Sequence, residues 1–191
     1  CRVLSVVNVV GSTIATESDD VLYTWAGPEI SVASTKAYST QLAVIYLLAL
    51  YIGEQLGKFT QEQLSAYIAA LEKLPEQIDE MLKHKENIQF FASKYFNASD
   101  MYFIGRNVDY AASLEASLKL KEISYIHSEA YAAGELKHGP ISLIEDGTLV
   151  IALATDARLF DKMMSNIKEV KARGAVVLGV ATEDKKEIAG Q

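Results

Sequence analysis

Residues 100–181 alternate short apolar runs with helix-length segments, and few architectures accept that order. Residues 100–105 (Asp-Met-Tyr-Phe-Ile-Gly) form an apolar run that stops at glycine, and residues 108–123 follow with helical character. Residues 148–155 are again strand-like and 157–173 helical; Gly174 then opens a last run, Ala-Val-Val-Leu-Gly-Val-Ala, that ends at Ala181. These runs are continuously apolar and β-branched, as expected for strands covered on both faces. Strand, helix, strand, helix, strand predicts an α/β fold with a doubly wound parallel sheet.

The first half carries a shorter version of the same pattern. Residues 3–10 are a β-branched run closed by Gly11-Ser12, and residues 18–24 read as a second, shorter strand broken by Ala26-Gly27-Pro28. Ser34 or Thr35 is placed to cap a helix running to about Gly53, with Gly57 ending its tail. This helix is apolar nearly all round, which predicts burial between layers or subunits. Its apolar core, residues 42–52, is shorter than the roughly 20 residues a bilayer span needs. Thr60 with Gln63 fits a capping box, and the amphipathic stretch that follows to Leu82 is interrupted at Pro75. Residues 85–96 read as one more amphipathic helix. The expected organisation is one α/β segment over 1–59, linking helices over 60–97 and a second α/β segment over 98–191.

A net charge of -7 gives little support to nucleic-acid binding, and no segment calls for a membrane. One cysteine excludes an intrachain disulfide framework and suits a reducing, cytoplasmic compartment. No signal peptide is visible, and the chain opens at Cys1 directly in front of a strand, which reads as part of a longer protein.

Acids and bases concentrate in residues 119–140, Lys-Leu-Lys-Glu-Ile-Ser-Tyr-Ile-His-Ser-Glu-Ala-Tyr-Ala-Ala-Gly-Glu-Leu-Lys-His-Gly-Pro, across a helix-to-loop junction. Glu115, Lys119 and Glu122 are spaced to share one helix face beside the apolar face of Leu114 and Leu118. A lysine beside Glu122 favours the ionised carboxylate while partial burial opposes it, and together they can tune a general base. The same spacing also suits a surface ion pair. His127 lies in a strand-like context, and His138 lies in a turn that presents its ring to solvent or to a partner. The separation of these histidines, with no HExxH or cysteine pair, makes zinc improbable. His84 reads as solvated. Residues 27–36 combine a break, hydroxyls and a helix start that could hold a phosphate-like anion or simply cap the helix; Gly105-Arg106-Asn107 is a weaker anion candidate.

The strings Lys-Glu-Ile-Ser-Tyr-Ile-His and Gly-Glu-Leu-Lys-His-Gly-Pro, with residues 27–42 and 103–122, closely resemble the isomerase region of the glucosamine-6-phosphate synthases, the glutamine:fructose-6-phosphate aminotransferases. The resemblance runs over essentially the whole chain. It implies two sugar-isomerase (SIS) segments of flavodoxin-like fold, both incomplete here. It implies that Glu122 is the base moving a proton between C1 and C2 of the sugar. It further implies that His138 assists ring opening from across a homodimer interface, and that Lys119 orients the base or polarises an oxygen. Val32, with Ala33 and Ser34, matches positions that touch the sugar. The implied partners are fructose 6-phosphate, glucosamine 6-phosphate and a glutaminase domain, with no cofactor or metal. The family's phosphate loop and Schiff-base lysine match positions before Cys1 and after Gln191, so the resemblance predicts an inactive chain in isolation. Cys1 matches a strand edge and carries no implied catalytic role. A fructosamine-phosphate deglycase, or a sugar-phosphate-binding module without catalysis, would use the same fold.

Overall fold

The computed structural model describes residues 1–185, 187 and 188. It divides into two compact units, Cys1–Phe90 and Phe91–Gln191. Lys186 and residues 189–191, which belong to the 98–191 segment read from the sequence, lie outside the described residues.

The first unit contains β1 (Leu4–Val7), α1 (Thr13–Glu17), β2 (Asp20–Tyr23), α2 (Lys36–Gln55), α3 (Gln61–Glu72) and α4 (Leu74–Leu82), and α5 (Lys85–Tyr95) crosses into the second. β1 and β2 pair in parallel, Leu4 opposite Asp20 through Val7 opposite Tyr23. The run over 3–10 yields only four strand residues because β2 offers no partner beyond Tyr23; Val9 and Val10 are left exposed. The short helix α1 was not expected. Ser12 starts it by accepting the Ala15 N–H.

The capping box forms as the sequence predicts: the Gln63 N–H donates to Thr60 Oγ1 at 3.2 Å, and the Thr60 N–H donates to Gln63 Oε1 at 2.9 Å. Pro75 stands in the first turn of α4, where its missing N–H costs nothing. Layers within this chain do not bury α2, which leaves Ile45, Tyr46, Leu47, Tyr51 and Ile52 exposed. A two-stranded sheet is too narrow to cover a twenty-residue apolar helix.

The second unit contains β3 (Asp100–Gly105), α6 (Val108–Ser124), β4 (His127–Ala132), 3-10 turns over Ala133–His138 and Pro140–Leu143, β5 (Leu149–Ala154), α7 (Phe160–Lys171) and β6 (Val176–Ala181). All four strands are parallel in the order β4-β3-β5-β6, the winding of a flavodoxin-like sheet. The edge strand β4 is an addition to the three strands predicted over 98–191. Its sequence, His-Ser-Glu-Ala-Tyr-Ala, lacks the continuous apolar run that marks the other strands.

The two faces of this sheet differ in chemistry. Tyr102 and Ile104 of β3 join Val150, Ala152, Leu136, Met163, Ile167 and Val170 in one core beneath α7 and the first 3-10 turn. On the opposite face α6 packs through Asp109, Ser113 and Ser117, all buried and spaced by four. The Ser113 hydroxyl donates to the Asp109 carbonyl, and Ser117 and Ser128 exchange hydrogen bonds between helix and strand. The apolar face of Leu114 and Leu118 is the outer one on this chain: both are exposed. Small hydroxyl residues that satisfy their own hydrogen bonds let the helix lie close to the sheet. At Gly105 the approach is so tight that a Cβ would stand 2.4 Å from the Asp109 carbonyl carbon.

Candidate functional site

Glu122 and Lys119 sit in the last two turns of α6. The Lys119 ammonium donates to Glu122 Oε2 at 2.5 Å and lies 3.6 Å from Glu115 Oε1. Both side chains are largely covered, with 19% of Lys119 and 25% of Glu122 exposed. The hydrogen bond to Glu122 raises the Lys119 ammonium above the usual lysine range, against the opposing effect of burial, and both carboxylates add to the rise. Lys119 therefore remains a cation at neutral pH. Its hydrogen bond to Oε2 holds the Glu122 carboxylate in one orientation.

His138 ends the first 3-10 turn, directly before Gly139, whose φ of 147° breaks the turn. Its side chain is 74% exposed, and its nearest ionic neighbour is Glu135, 3.8 Å away. Among the described residues no hydrogen bond or ion pair joins it to Lys119 or Glu122. The sheet explains the separation. The connection from β3 to β4 runs through α6, and the connection from β4 back across β3 to β5 runs through the 3-10 turns. Right-handed crossovers in opposite directions lie on opposite faces. Leu136, two residues before His138, is buried in the α7-side core, while Ser117, two residues before Lys119, is bonded to the other face. The spacing-based site is thus divided: Lys119 and Glu122 come together, and His138 of the same chain stands across the sheet.

In the first unit, Val32 is almost fully exposed, and Ala33 and Ser34 are half-buried. Thr35 stands at the N-cap position of α2, as the sequence suggests, but its side chain makes no capping hydrogen bond. The cap is the Glu29 carboxylate, whose Oε2 accepts the Ala37 N–H and the Ser34 hydroxyl, each at 3.2 Å. An anion at this helix start would have to displace Glu29.

The other sequence candidates have structural partners. His127 Nδ1 lies 2.9 Å from Asp100 Oδ1, and its Nε2 lies 3.8 Å from Glu129. His84 lies on the exposed surface near Glu80. Arg106 Nε donates to Asn166 Oδ1 at 3.0 Å. Asn166, Glu169 and Lys137 continue that contact, and sequence reasoning missed the set because its members are scattered over 106–169 with no spacing signal. Asp109, also unanticipated, ties the start of α6 to the end of β5 by accepting from the Thr155 N–H, the Thr155 hydroxyl and the Asp156 N–H. Among the described residues no cluster of three or more His, Cys, Asp or Glu side chains is arranged to hold a metal. No helix there is long and apolar enough to cross a membrane.

Known proteins resemble the chain throughout. The isomerizing glutamine–fructose-6-phosphate aminotransferase of Caldanaerobacter subterraneus subsp. tengcongensis is 56% identical over 99% of this chain and 31% of that protein. The protein of the same name from Clostridium tetani is 57% identical over 98% of this chain and 31% of its own. The chain thus spans about a third of the length of these curated relatives. Among solved structures, the C-terminal domain of glucosamine-fructose-6-phosphate aminotransferase from Francisella tularensis superposes with a TM-score of 0.93 at 37% identity, covering 97% of this chain and 52% of that one. A glucosamine-6-phosphate deaminase from Thermotoga maritima gives 0.69 at 28% identity, over 96% of this chain and 53% of the other. The SIS domain family itself matches residues 1–51 and 94–191, leaving out the helical stretch between the two sheets. With parallel sheets in both matched parts and the winding of the second, the chain belongs to the SIS domain family.

Proposed function

We propose that this chain is the isomerase region of a glutamine:fructose-6-phosphate aminotransferase, which makes glucosamine 6-phosphate from fructose 6-phosphate and glutamine-derived ammonia. The observation that carries this reading is Glu122 held at 2.5 Å by a lysine that stays charged, in a chain 56% identical to an enzyme of that name. Moving a proton between adjacent sugar carbons needs a carboxylate fixed in direction but with one oxygen free. Glu122 is that base. Lys119 orients it and offers its charge to the oxygen on which negative charge develops. Val32, Ala33 and Ser34 contribute sugar contacts, for which the exposure of Val32 is suited. The segments 1–59 and 98–191 are the two SIS portions, and 60–97 links them.

His138 is the ring-opening group, and it serves a second copy of the chain. Its position across the sheet from Glu122 supports a homodimer in which each copy lends its imidazole to the other. The reaction is self-contained proton and ammonia chemistry and calls for no cofactor. A glutaminase domain supplies the ammonia, the product feeds UDP-GlcNAc synthesis, and the setting is the cytoplasm.

The test is Glu122→Gln in the intact protein. Turnover of fructose 6-phosphate with ammonia should fall by at least about 100-fold while fructose 6-phosphate still binds, since only the proton transfer is removed. Wild-type turnover in that variant would sink the assignment. Running the same assay with a fructosamine 6-phosphate separates the proposed reaction from a deglycase.

A further inference from the structure

Among the described residues no hydrogen bond fixes the direction of the His138 ring. The side chain is 74% exposed, Glu135 approaches no closer than 3.8 Å, and Gly139 follows with a backbone that other residues rarely adopt. The turn on its other side is held at two points. Leu136 has no exposed surface and anchors the turn in the core. Lys137 reaches α7, where its ammonium lies 2.8 Å from Glu169 Oε1.

Glu169 is itself held. Asn166, one helical turn earlier and buried, donates from Nδ2 to Glu169 Oε2 at 3.2 Å and accepts from Arg106 Nε on Oδ1 at 3.0 Å. The guanidinium of Arg106 lies over Gly134 in the same turn, so close that a Cβ there would stand 3.1 Å from it. The Glu169 carboxyl lies below the usual glutamate range: partial burial opposes this, and the hydrogen bonds from Lys137 and Asn166 outweigh it. Arg106, Asn166, Glu169 and Lys137 line one cavity of about 210 Å³ with Lys162.

We propose that Glu169, oriented by Asn166 and Arg106, is a positioning residue for His138. In a 3-10 turn neighbouring side chains point about 120° apart, so tethering Lys137 to α7 sets the rotation of the turn and with it the direction of the imidazole. Leu136 fixes the depth of the turn, Lys137 fixes its rotation, and His138 takes the remaining direction, outward. The proposal rests on the reading of His138 as a functional group.

Glu169→Gln in the intact protein tests it, because it keeps the shape and removes the charge that binds Lys137. The kcat for fructose 6-phosphate with ammonia should fall on the order of tenfold, as for a slightly misaimed catalytic group, with KM little changed. Amide hydrogen exchange over residues 133–138 should accelerate while the melting temperature stays near wild type. In a His138→Ala background the same substitution should cost nothing further, since the group it aims is gone. Lys162→Gln, which removes a charge from the same cavity outside the tether, should leave kcat unchanged. An unchanged kcat and unchanged exchange in Glu169→Gln would overturn the proposal, as would an equal loss with and without His138. Full turnover in His138→Ala alone would overturn both the proposal and the reading of His138 beneath it, and is distinct from a failure of the tether.

Discussion

Ile104 in the second unit has no exposed surface, whereas Ile45 in the first exposes 50%. The same side chain meets two solutions to one problem. In residues 91–191 four parallel strands are covered by α6 on one face and by α7 with the 3-10 turns on the other, and on the α7 face apolar side chains meet in one continuous core. In residues 1–90 two strands give no such interior, and Leu64 is the buried hydrophobic side chain among the described residues. Polar contacts differ in reach. The second unit ties residues far apart in the sequence, such as Asp109 to the loop after β5. The first joins its two short strands through Arg2 with Asp20 and Asn8 with Thr24, and adds local devices such as Thr60 with Gln63 and Glu29 with the start of α2. A site held on the second unit inherits its rigidity from packing; a site on the first depends on its own loop.

Core substitution breaks this comparison most directly. Ile104→Ala should destabilise the protein by about 2–5 kcal/mol, because the sheet cannot collapse around the lost volume. Ile45→Ala should change stability by less than about 1 kcal/mol in the chain measured alone. Both are read as shifts in urea midpoint. Equal losses would mean that α2 is packed as firmly as β3, and the contrast between the units would vanish.

The polar ties give a smaller separation. Asp109→Ala removes the acceptor of three hydrogen bonds at a position only 5% exposed, leaving the Thr155 and Asp156 donors to find water at the end of the sheet. A loss of about 3 kcal/mol is expected. Thr60→Ala deletes one cap at an exposed helix start and should cost about 1 kcal/mol. If Thr60→Ala proved the costlier change in thermal unfolding, local capping and not long-range bonding would be the stronger element of this chain.

These differences explain what was legible in the sequence. The strand at 100–105 was readable residue for residue because both its faces are buried, and burial on both faces writes a continuous apolar run. β4 was not, because it lies at the edge and buries Ser128 through hydrogen bonds. The inner face of α6 was not read from the sequence, for a related reason. Its leucines are more conspicuous than Ser113 and Ser117, but serines bonded to backbone carbonyls are compatible with burial and permit a closer approach. The Lys119–Glu122 pair was legible because helical spacing alone brings it together. The separation of His138 from that pair was implied by the resemblance but not by spacing, since it depends on crossover direction. The tether from Lys137 to Glu169 was beyond reach because its partner is far along the chain.

The weakest expected effect concerns whether the outer rows of β4 share the fixity of the core. Glu129 and Tyr131 lie two apart on one face of this edge strand, and the Tyr131 hydroxyl donates to Glu129 Oε2. Tyr131 also stacks on Tyr102 of the neighbouring strand, ring centres 6.1 Å apart. The bond to Glu129, with burial and the carboxylate charge adding to it, holds the phenol in its neutral form and pushes its pKa up to about 12. The folded value lies above the ordinary one near 10, so folding binds this proton more tightly than the unfolded chain does. The stabilisation from this contact is therefore complete below about pH 10 and is lost as pH rises through about 12, leaving the neutral range untouched. Phenolate absorbance of the wild type minus that of Tyr131→Phe isolates this tyrosine, and circular dichroism recorded alongside confirms that the fold persists. A difference signal that lags to about pH 12 places the β4 edge with the firmly held second unit. A signal near pH 10 would mean that the edge strand releases its proton like free tyrosine. Packing order in the second unit would then stop at β3, and the boundary between the two kinds of structure would run through the sheet instead of between the units.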